Sequence, residues 1–304
     1  RGDDRWCIAD VRFKKPAPAE RHTWIEAPFN ENRAVWQHLM ADEVWRIDYQ
    51  MAPDADPEFV ASEAQVCARL RAQFGENVDC EIVWVGASTY RSQCLDQLRY
   101  GRVFFMGDTA KIVSPFGARG GNTGVADADN LAWKLAAVVR GWASERLLQS
   151  YNEERLEAAQ QNVLVTNRTA RFLRPHDGME RTFRDATISL ARQYPFARQL
   201  VNTGRMAVAN NYTHSSVCEA GGGLSVQNVR FCWGDGSTGF VVDLLNWAEG
   251  RLLVLVFGQL SQAAATRLQQ LSQGTPVRCV QVVDAHASTQ AREHVRDPLG
   301  HLQG

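Results

Sequence analysis

The chain has 304 residues, 45% of them hydrophobic and 22% charged, with 33 Lys and Arg against 34 Asp and Glu. Such a length and balance describe a globular protein of two or three domains, with core enough to fold without disulfides or metal. A formal net charge of −1 supplies no global field to gather nucleic acid or an anionic membrane surface, so neither is expected as a partner.

In the first hundred residues, Cys7–Phe13, His22–Ala27, Ala34–Met40 and Glu43–Met51 are short runs rich in β-formers. Turn-like segments separate them, which predicts antiparallel sheet, with a hairpin turn at Ala41-Asp42. Alternation in Val44–Gln50 places Val44, Arg46, Asp48 and Gln50 on one face and Trp45, Ile47 and Tyr49 on the other. One face is apolar and aromatic and the other mostly polar, as for a sheet with one side on a core. Pro57–Phe74 reads as a helix, with Phe59, Ala64, Val66, Leu70 and Phe74 as an approximate stripe, and Asp79–Val85 as a further strand. His38, Arg46 and Tyr49 lie in this sheet and are candidate contacts for an aromatic substrate. Each is equally readable as packing or polar surface.

Arg102–Met106 is short and mostly apolar, a strand of the buried kind. Asn122–Val139 carries a helical pattern that Gly141 ends. Leu147–Ala170 is a second long helix with Glu153, Glu154, Arg155 and Glu157 on its solvated side, and Thr182–Ala209 continues as interrupted helix. From Ser215 the composition changes. Gly221-Gly222-Gly223 is a flexible joint, and strand Leu252–Phe257, helix Gln259–Gln273 and strand Val277–Val283 make the β-α-β pattern of a small α/β domain. The seven cysteines are scattered and no two form a CxxC pair, which reads as reduced thiols in a cytoplasmic protein. His286 and His294 have no partners that would make a metal site, and none is expected.

The most informative stretch runs from Gly101 to Leu135. Gly107-Asp108 follows an expected strand, and a carboxylate at that strand's end can accept hydrogen bonds from ribityl or ribose hydroxyls. A turn or N-cap aspartate is the alternative. Pro115, Gly117, Gly120, Gly121 and Gly124 then surround Asn122, just before the helical stretch. Glycines let backbone approach a planar ring, and the N–H groups of a helix start stabilise negative charge, with Arg119 a cation nearby. A glycine-rich loop with no ligand is the alternative here.

This stretch resembles the second flavin-contacting motif of the class A flavoprotein monooxygenases, the aromatic hydroxylase family, in its phenol hydroxylase and 3-(3-hydroxyphenyl)propionate hydroxylase-like branch. The family pattern is Gly-Asp-Ala-Ala-His, a proline, a Gly-x-Gly-x-Asn turn and Asp-Ala-x-Asn-Leu-x-Trp-Lys-Leu. Here stand Gly107-Asp108-Thr109-Ala110-Lys111, Pro115, Ala118-Arg119-Gly120-Gly121-Asn122 and Asp127-Ala128-Asp129-Asn130-Leu131-Ala132-Trp133-Lys134-Leu135. Ser150-Tyr151 with Glu154-Arg155 also matches the family's next helix. The resemblance implies that Asp108 binds the ribityl chain and that Pro115 lies near the isoalloxazine and the substrate. Gly117 and Arg119 belong to the same loop, Gly120, Gly121 and Asn122 hold the pyrimidine edge, and Trp133 and Lys134 pack and cap. It implies FAD as cofactor, NADH or NADPH as co-substrate, and hydroxylation of a small phenolic substrate with O2; a homodimer is an allowed assembly. The catalytic group is not identified.

Two departures stand out. Lys111 replaces the usual histidine, and the family's opening Gly-x-Gly-x-x-Gly turn and later Asp-Gly motif are not found ahead of Gly107. The chain is therefore expected to start inside the family's substrate domain and, alone, to bind FAD weakly or not at all. Gly234-Asp235-Gly236-Ser237-Thr238-Gly239 matches Gly-x-Gly-x-x-Gly formally, but no βαβ unit with a placed acidic residue follows, so it reads as a turn. In the family a similar Asp-Gly turn opens a thioredoxin-like C-terminal domain. The expected architecture is α+β in three parts: an antiparallel substrate-binding sheet over 1–98, the closing part of an α/β FAD domain over 99–214, and a truncated thioredoxin-like domain over 215–304. The alternatives are a flavin-dependent halogenase or dehydrogenase of the same fold, and a non-catalytic remnant serving in binding or dimerisation.

Overall fold

Alternating apolar residues over the first ninety positions produce a five-stranded antiparallel sheet. Its strands are β1 (Asp4–Phe13), β2 (His22–Ala27), β3 (Arg33–Leu39), β4 (Trp45–Gln50) and, after two helices, β5 (Cys80–Tyr90), in the spatial order β2-β3-β4-β1-β5. The computed structural model describes residues 4–15, 18–115, 117–201, 208–258, 261–283 and 294–296. The described residues fall into two units, one within 1–96, 105–125 and 159–208, the other within 97–104, 126–158 and 209–304. The chain is α+β, as expected.

In the first unit, Cys7, Ala9, Val11, Val35, Trp45, Ile47 and Tyr49 share one sheet face. There they bury against Val60 of α1 (Pro57–Val60) and Val66 and Leu70 of α2 (Glu63–Phe74). The single helix expected over Pro57–Phe74 is thus two. Ser62 takes an extended ψ of 145° and its hydroxyl donates to the Phe59 carbonyl at 2.7 Å, a local bond that competes with helix continuation. β5 runs five residues past the expected Val85, because β1 offers it a partner along its whole length, with a bulge between Asp10 and Val11. Beyond it, β6 (Gln93–Cys94) is the next short strand of this unit.

The second unit begins with the hairpin β7 (Arg99–Tyr100) and β8 (Val103–Phe104) about Gly101. The buried strand expected over Arg102–Met106 is therefore two residues long, and Val103 is 56% exposed. Among the described residues it pairs with Arg99–Tyr100, not within a larger sheet. β9 (Lys111–Ile112) returns to the first unit. The division then passes within α3 (Arg119–Val139) and α4 (Leu147–Leu173). The interrupted helix expected next is α5 (Met179–Ala191) and α6 (Pro195–Val201), with 202–207 outside the described residues.

Toward the C-terminus, β10 (Arg230–Trp233) and β11 (Thr238–Phe240) form a hairpin around Gly234–Ser237, where Asp235 accepts from the Ser237 N–H at 2.9 Å. The glycine-rich hexapeptide is a turn, as expected. After α7 (Val241–Ala248) come β12 (Leu252–Phe257), α8 (Gln262–Gly274), β13 (Val277–Val283) and β14 (His294–Arg296), in the sheet order β11-β10-β14-β13-β12. The β12, β13 and β14 strands run parallel. Phe231, Leu244, Val280, Val282 and Val295 form their core. The triple glycine is a packed joint rather than a loose one: the Gly223 carbonyl accepts from Tyr212 at 2.7 Å, and a Cβ there would lie 2.3 Å from the Tyr212 oxygen.

Glu154 and Arg155 are not solvated. They are 4% and 1% exposed and anchor a buried polar network of the second unit. Lys134 Nζ and Asn130 Nδ2 each donate to Glu154 Oε2 at 2.6 Å, and Ser215 Oγ donates to Oε1 at 2.7 Å. Arg155 Nε donates to Asp127 and Nη1 to the Tyr212 hydroxyl, both at 2.6 Å. Burial pulls the Lys134 ammonium below its ordinary pKa, against the opposing pull of Glu154. Breaking one half of a buried pair strands the other charge. Lys134→Ala should therefore destabilise by about 3–5 kcal/mol, whereas Lys134→Met with Glu154→Leu should cost far less. Urea unfolding of the two variants checks this.

Candidate functional site

The glycine-rich segment lies in the first unit from Phe105 onward. Gly107 takes φ +57° and opens a single 3-10 turn, Gly107–Thr109, closed by the Thr109 hydroxyl donating to the Met106 carbonyl at 2.7 Å. β9 then pairs with β6, Lys111 opposite Cys94 and Ile112 opposite Gln93. Between them opens a pocket of about 430 Å³ lined by Ser92, Gln93, Cys94, Leu95, Asp108, Thr109, Ala110, Lys111 and Ile112. Asp108 is exposed at this pocket, Lys111 is buried in its wall, and the buried Ser92 Oγ has no hydrogen-bond partner.

The chain then turns into α3. Ala118 donates its N–H to the Pro115 carbonyl at 3.0 Å, and Gly117 and Ala118 take φ +85° and +53°. Ala118 thus holds the left-handed conformation that glycine favours. α3 starts at Arg119, three residues before the expected Asn122, so Gly120, Gly121 and Asn122 form its first turn rather than a preceding loop. The N–H groups of Gly120 and Gly121 belong to the set that an α-helix leaves without intrahelical acceptors. Nothing lies within 4 Å of where a Gly121 Cβ would stand, and Gly124 approaches so closely that its Cβ would sit 3.4 Å from Gly107 Cα. Asn122 Nδ2 donates to the Ala118 carbonyl at 2.8 Å. The Arg119 guanidinium is committed to structure. It donates to Asn162 Oδ1 of α4 and to the Val208 carbonyl at 3.0 Å.

Open space at Gly121, an exposed carboxylate at Asp108 and the orphaned Ser92 hydroxyl fit the isoalloxazine and ribityl parts of a flavin. Asp108 and residues 120–122 are the groups that would hold it. Pro115 and Gly117 are exposed beside the same turn.

The three sheet residues singled out as substrate contacts divide. His38 and Arg46 are cross-strand partners on the face away from the α2 core, where Arg46 is also opposite Asp10. Arg46 Nε and Nη2 each bond the Asp10 carboxylate at 2.8 Å. Tyr49 lies on the core face, fully buried, its hydroxyl donating to Gln73 Oε1 at 2.8 Å while Gln73 Nε2 donates to Gln37 at 2.9 Å. Alternation along β4 separates it from the other two. Burial drives its phenol pKa upward.

Asp48 is the residue that sequence reasoning left unselected. It is 6% exposed, its Oδ1 has no hydrogen-bond partner, and burial raises its pKa to about 6, with Asp10 adding to the rise and Arg46 and Arg21 opposing it. His38 is pushed the other way, held neutral by burial and by Arg21 and Arg46, and its Nδ1 is buried without a partner. The Trp6 and Trp36 rings meet nearby at a tilt of 31° with centroids 4.7 Å apart, the Tyr90 ring centroid lies 5.9 Å from that of Trp6, and Ala170 and Leu173 of α4 pack on this group. Tyr90 is two residues before Ser92 of the Asp108 pocket, so β5 leads from the aromatic face straight into that pocket wall. Of the two histidines set aside, His286 lies outside the described residues and the His294 backbone is part of β14.

Residues 2–166 match the family model described as FAD binding domain, which covers more than half of the chain. The chain belongs to this FAD binding domain family. Over 223 residues, 70% of the chain, it is 30% identical to the 3-(3-hydroxy-phenyl)propionate/3-hydroxycinnamic acid hydroxylase of Burkholderia cenocepacia (strain HI2424), of which it spans 39%. It is 41% identical over 120 residues to the 6-methylpretetramide 4-monooxygenase of Streptomyces rimosus, a stretch that is 39% of this chain and 21% of that relative. Among solved structures, OxyS anhydrotetracycline hydroxylase from Streptomyces rimosus matches with a TM-score of 0.69 and 24% identity, over 98% of this chain and 56% of that one. The flavin-dependent monooxygenase PieE in complex with FAD and substrate matches with a TM-score of 0.70 and 20% identity, over 98% of this chain and 58% of that one. The fold is shared with these hydroxylases.

Asp48 links the site to stability. Its folded pKa lies above the unfolded value, so its protonated form is the one the fold prefers. The stability it contributes is complete below about pH 4 and is lost as pH rises to about 6. A shift of that size corresponds to at most about 3 kcal/mol. Asp48→Asn should match the wild type near pH 4 and exceed it in urea-unfolding stability near pH 7.

Proposed function

We propose that this chain carries the flavin- and substrate-contacting part of an FAD-dependent monooxygenase. The enzyme hydroxylates an aromatic, phenolic compound with O2 and NADH or NADPH. The observation that carries the reading is the open cradle formed by Asp108 and the first turn of α3. FAD, when bound, supplies the two-electron redox chemistry and the activation of oxygen. The chain's own groups do the rest. Asp108 accepts hydrogen bonds from a hydroxylated linker, and the N–H groups at residues 120–122 stabilise negative charge at the edge of a ring system. Arg119 fixes the helix start by tying it to α4. On the sheet, Trp6, Trp36 and Tyr90 provide an aromatic surface that excludes water beside the polar groups of β3 and β4. Hydroxylase and monooxygenase relatives of two substrate types support the reading, and scattered cysteines with no CxxC pair fit a reducing, cytoplasmic setting.

Riboflavin contains the isoalloxazine and ribityl parts alone, so quenching of its fluorescence tests the cradle directly. The expected result is weak, saturable binding by the 304-residue chain. Asp108→Ala and Gly121→Leu should each weaken it at least about tenfold, and Gly121→Leu should leave the thermal midpoint unchanged or higher, since leucine is the better helix former. Absence of saturable quenching, or equal binding by all three proteins, overturns the reading.

A further inference from the structure

The sheet face away from the α2 core concentrates polar atoms that the fold itself leaves unanswered. Asp48 Oδ1, His38 Nδ1 and Trp6 Nε1 are buried without hydrogen-bond partners, and they come from three adjacent strands. Register places Asp48 between the other two: it stands opposite Trp36 on β3 and Ile8 on β1, two residues along β3 from His38 on one side and two along β1 from Trp6 on the other. Native interiors seldom leave a carboxylate oxygen buried and unpaired, and such groups mark positions that a ligand or ordered water completes. The nearest cation does not complete this one, because both bonding nitrogens of Arg46 go to Asp10. His38, Trp36, Arg46 and Tyr90 around the patch are only partly buried, so the group is not sealed from outside.

The three atoms define a chemistry. Asp48 accepts, the Trp6 indole N–H donates, and the neutral imidazole of His38 does either according to its tautomer. A hydroxyl both donates and accepts, and so answers Asp48 together with a flanking nitrogen. A carboxylate only accepts, and its charge would oppose that of Asp48. The paired Trp6 and Trp36 rings beside them favour an aromatic carrier for the hydroxyl.

We propose that this face is a subsite for a neutral, ring-borne hydroxyl, with Asp48 as its acceptor and Trp6 and His38 as flanking partners. That a ligand bound here is the substrate rests on the monooxygenase reading above; the binding itself does not. The site selects phenolic rings and gives no advantage to a carboxylate tail.

Isothermal titration of the chain with 3-propylphenol, 3-propylanisole and 3-(3-hydroxyphenyl)propionate tests it without flavin. The phenol should bind the wild type about ten- to a hundredfold more tightly than the anisole, which lacks the donor. Asp48→Leu should bring that ratio close to one while leaving anisole binding intact. His38→Leu should reduce the ratio less, because Asp48 remains. The propionate should bind no more tightly than the phenol. Thermal melts establish that each variant is folded, and should either fail, the phenol-to-anisole ratio in the wild type still decides. An unchanged ratio in folded Asp48→Leu, a wild-type ratio near one, or tighter binding of the propionate overturns the proposal and leaves the buried oxygen to water alone. Hydroxyl selection that depends on Asp48, together with failed riboflavin binding, keeps the subsite and removes the monooxygenase reading. The reverse result removes the subsite alone.

Discussion

A sheet covered on both faces must find a partner for every polar side chain it buries, and that constraint shapes the first unit. On the α2 face the requirement is met by a relay: the Tyr49 hydroxyl reaches Gln73, which in turn reaches Gln37. On the opposite face, Asp10 and Arg46 satisfy each other through two parallel bonds. On the same face, two residues along β4 and on the adjoining β3, the rule lapses at Asp48 and His38. An unpaired buried acceptor costs more than a made hydrogen bond returns, so a lapse beside two satisfied networks carries information. The lapse falls where aromatic rings gather and where β5 runs toward the Asp108 pocket.

The second unit obeys the same rule by a different route. Glu154 and Arg155 are consecutive, so they point about 100° apart around α4 and cannot share one exposed stripe. Each is buried against its own set of partners, Glu154 with Asn130, Lys134 and Ser215, Arg155 with Asp127 and Tyr212. These partners include residues in α3 spaced three and four apart, Asp127, Asn130 and Lys134, which a helix sets along one face. The residues that resemble a flavoprotein signature in this stretch are thus internal cross-links that hold α3, α4 and the 212–215 segment together. Their chemistry is structural.

Much of this was legible in the sequence where a single periodicity decided the outcome. The strands His22–Ala27, Leu252–Phe257 and Val277–Val283 have the bounds that their runs of β-formers predict. Alternation along β4 separated Tyr49 from Arg46, although membership of one sheet had grouped them as candidate substrate contacts. What stayed hidden depended on long-range covering. Nothing local distinguishes Asp48 from a solvated strand aspartate; it lies on the sheet face where Trp6 and Trp36 pack with Ala170 and Leu173 of α4. Glu154 and Arg155 read as surface for the same reason. The early start of α3 was obscured because Gly120 and Gly121 are poor helix formers, and tertiary contacts override that preference. Arg119 holds to Asn162 and Val208, and Asn162 to Thr123.

That override is itself the strongest link between fold and function here. A helix begun by two glycines forgoes intrinsic stability, and Ala118 adds a residue held at positive φ just before it. Both costs fall at the start of α3, where nothing stands within 4 Å of an added Gly121 Cβ and where Gly124 packs close to Gly107, the neighbour of Asp108. Had the turn served only to connect two elements, leucine or alanine at position 121 would meet no steric objection, since no atom stands within 4 Å of the added carbon. Glycine at a position the protein's own packing does not require accords with the proposal above, in which a flat ring system lies against the start of α3.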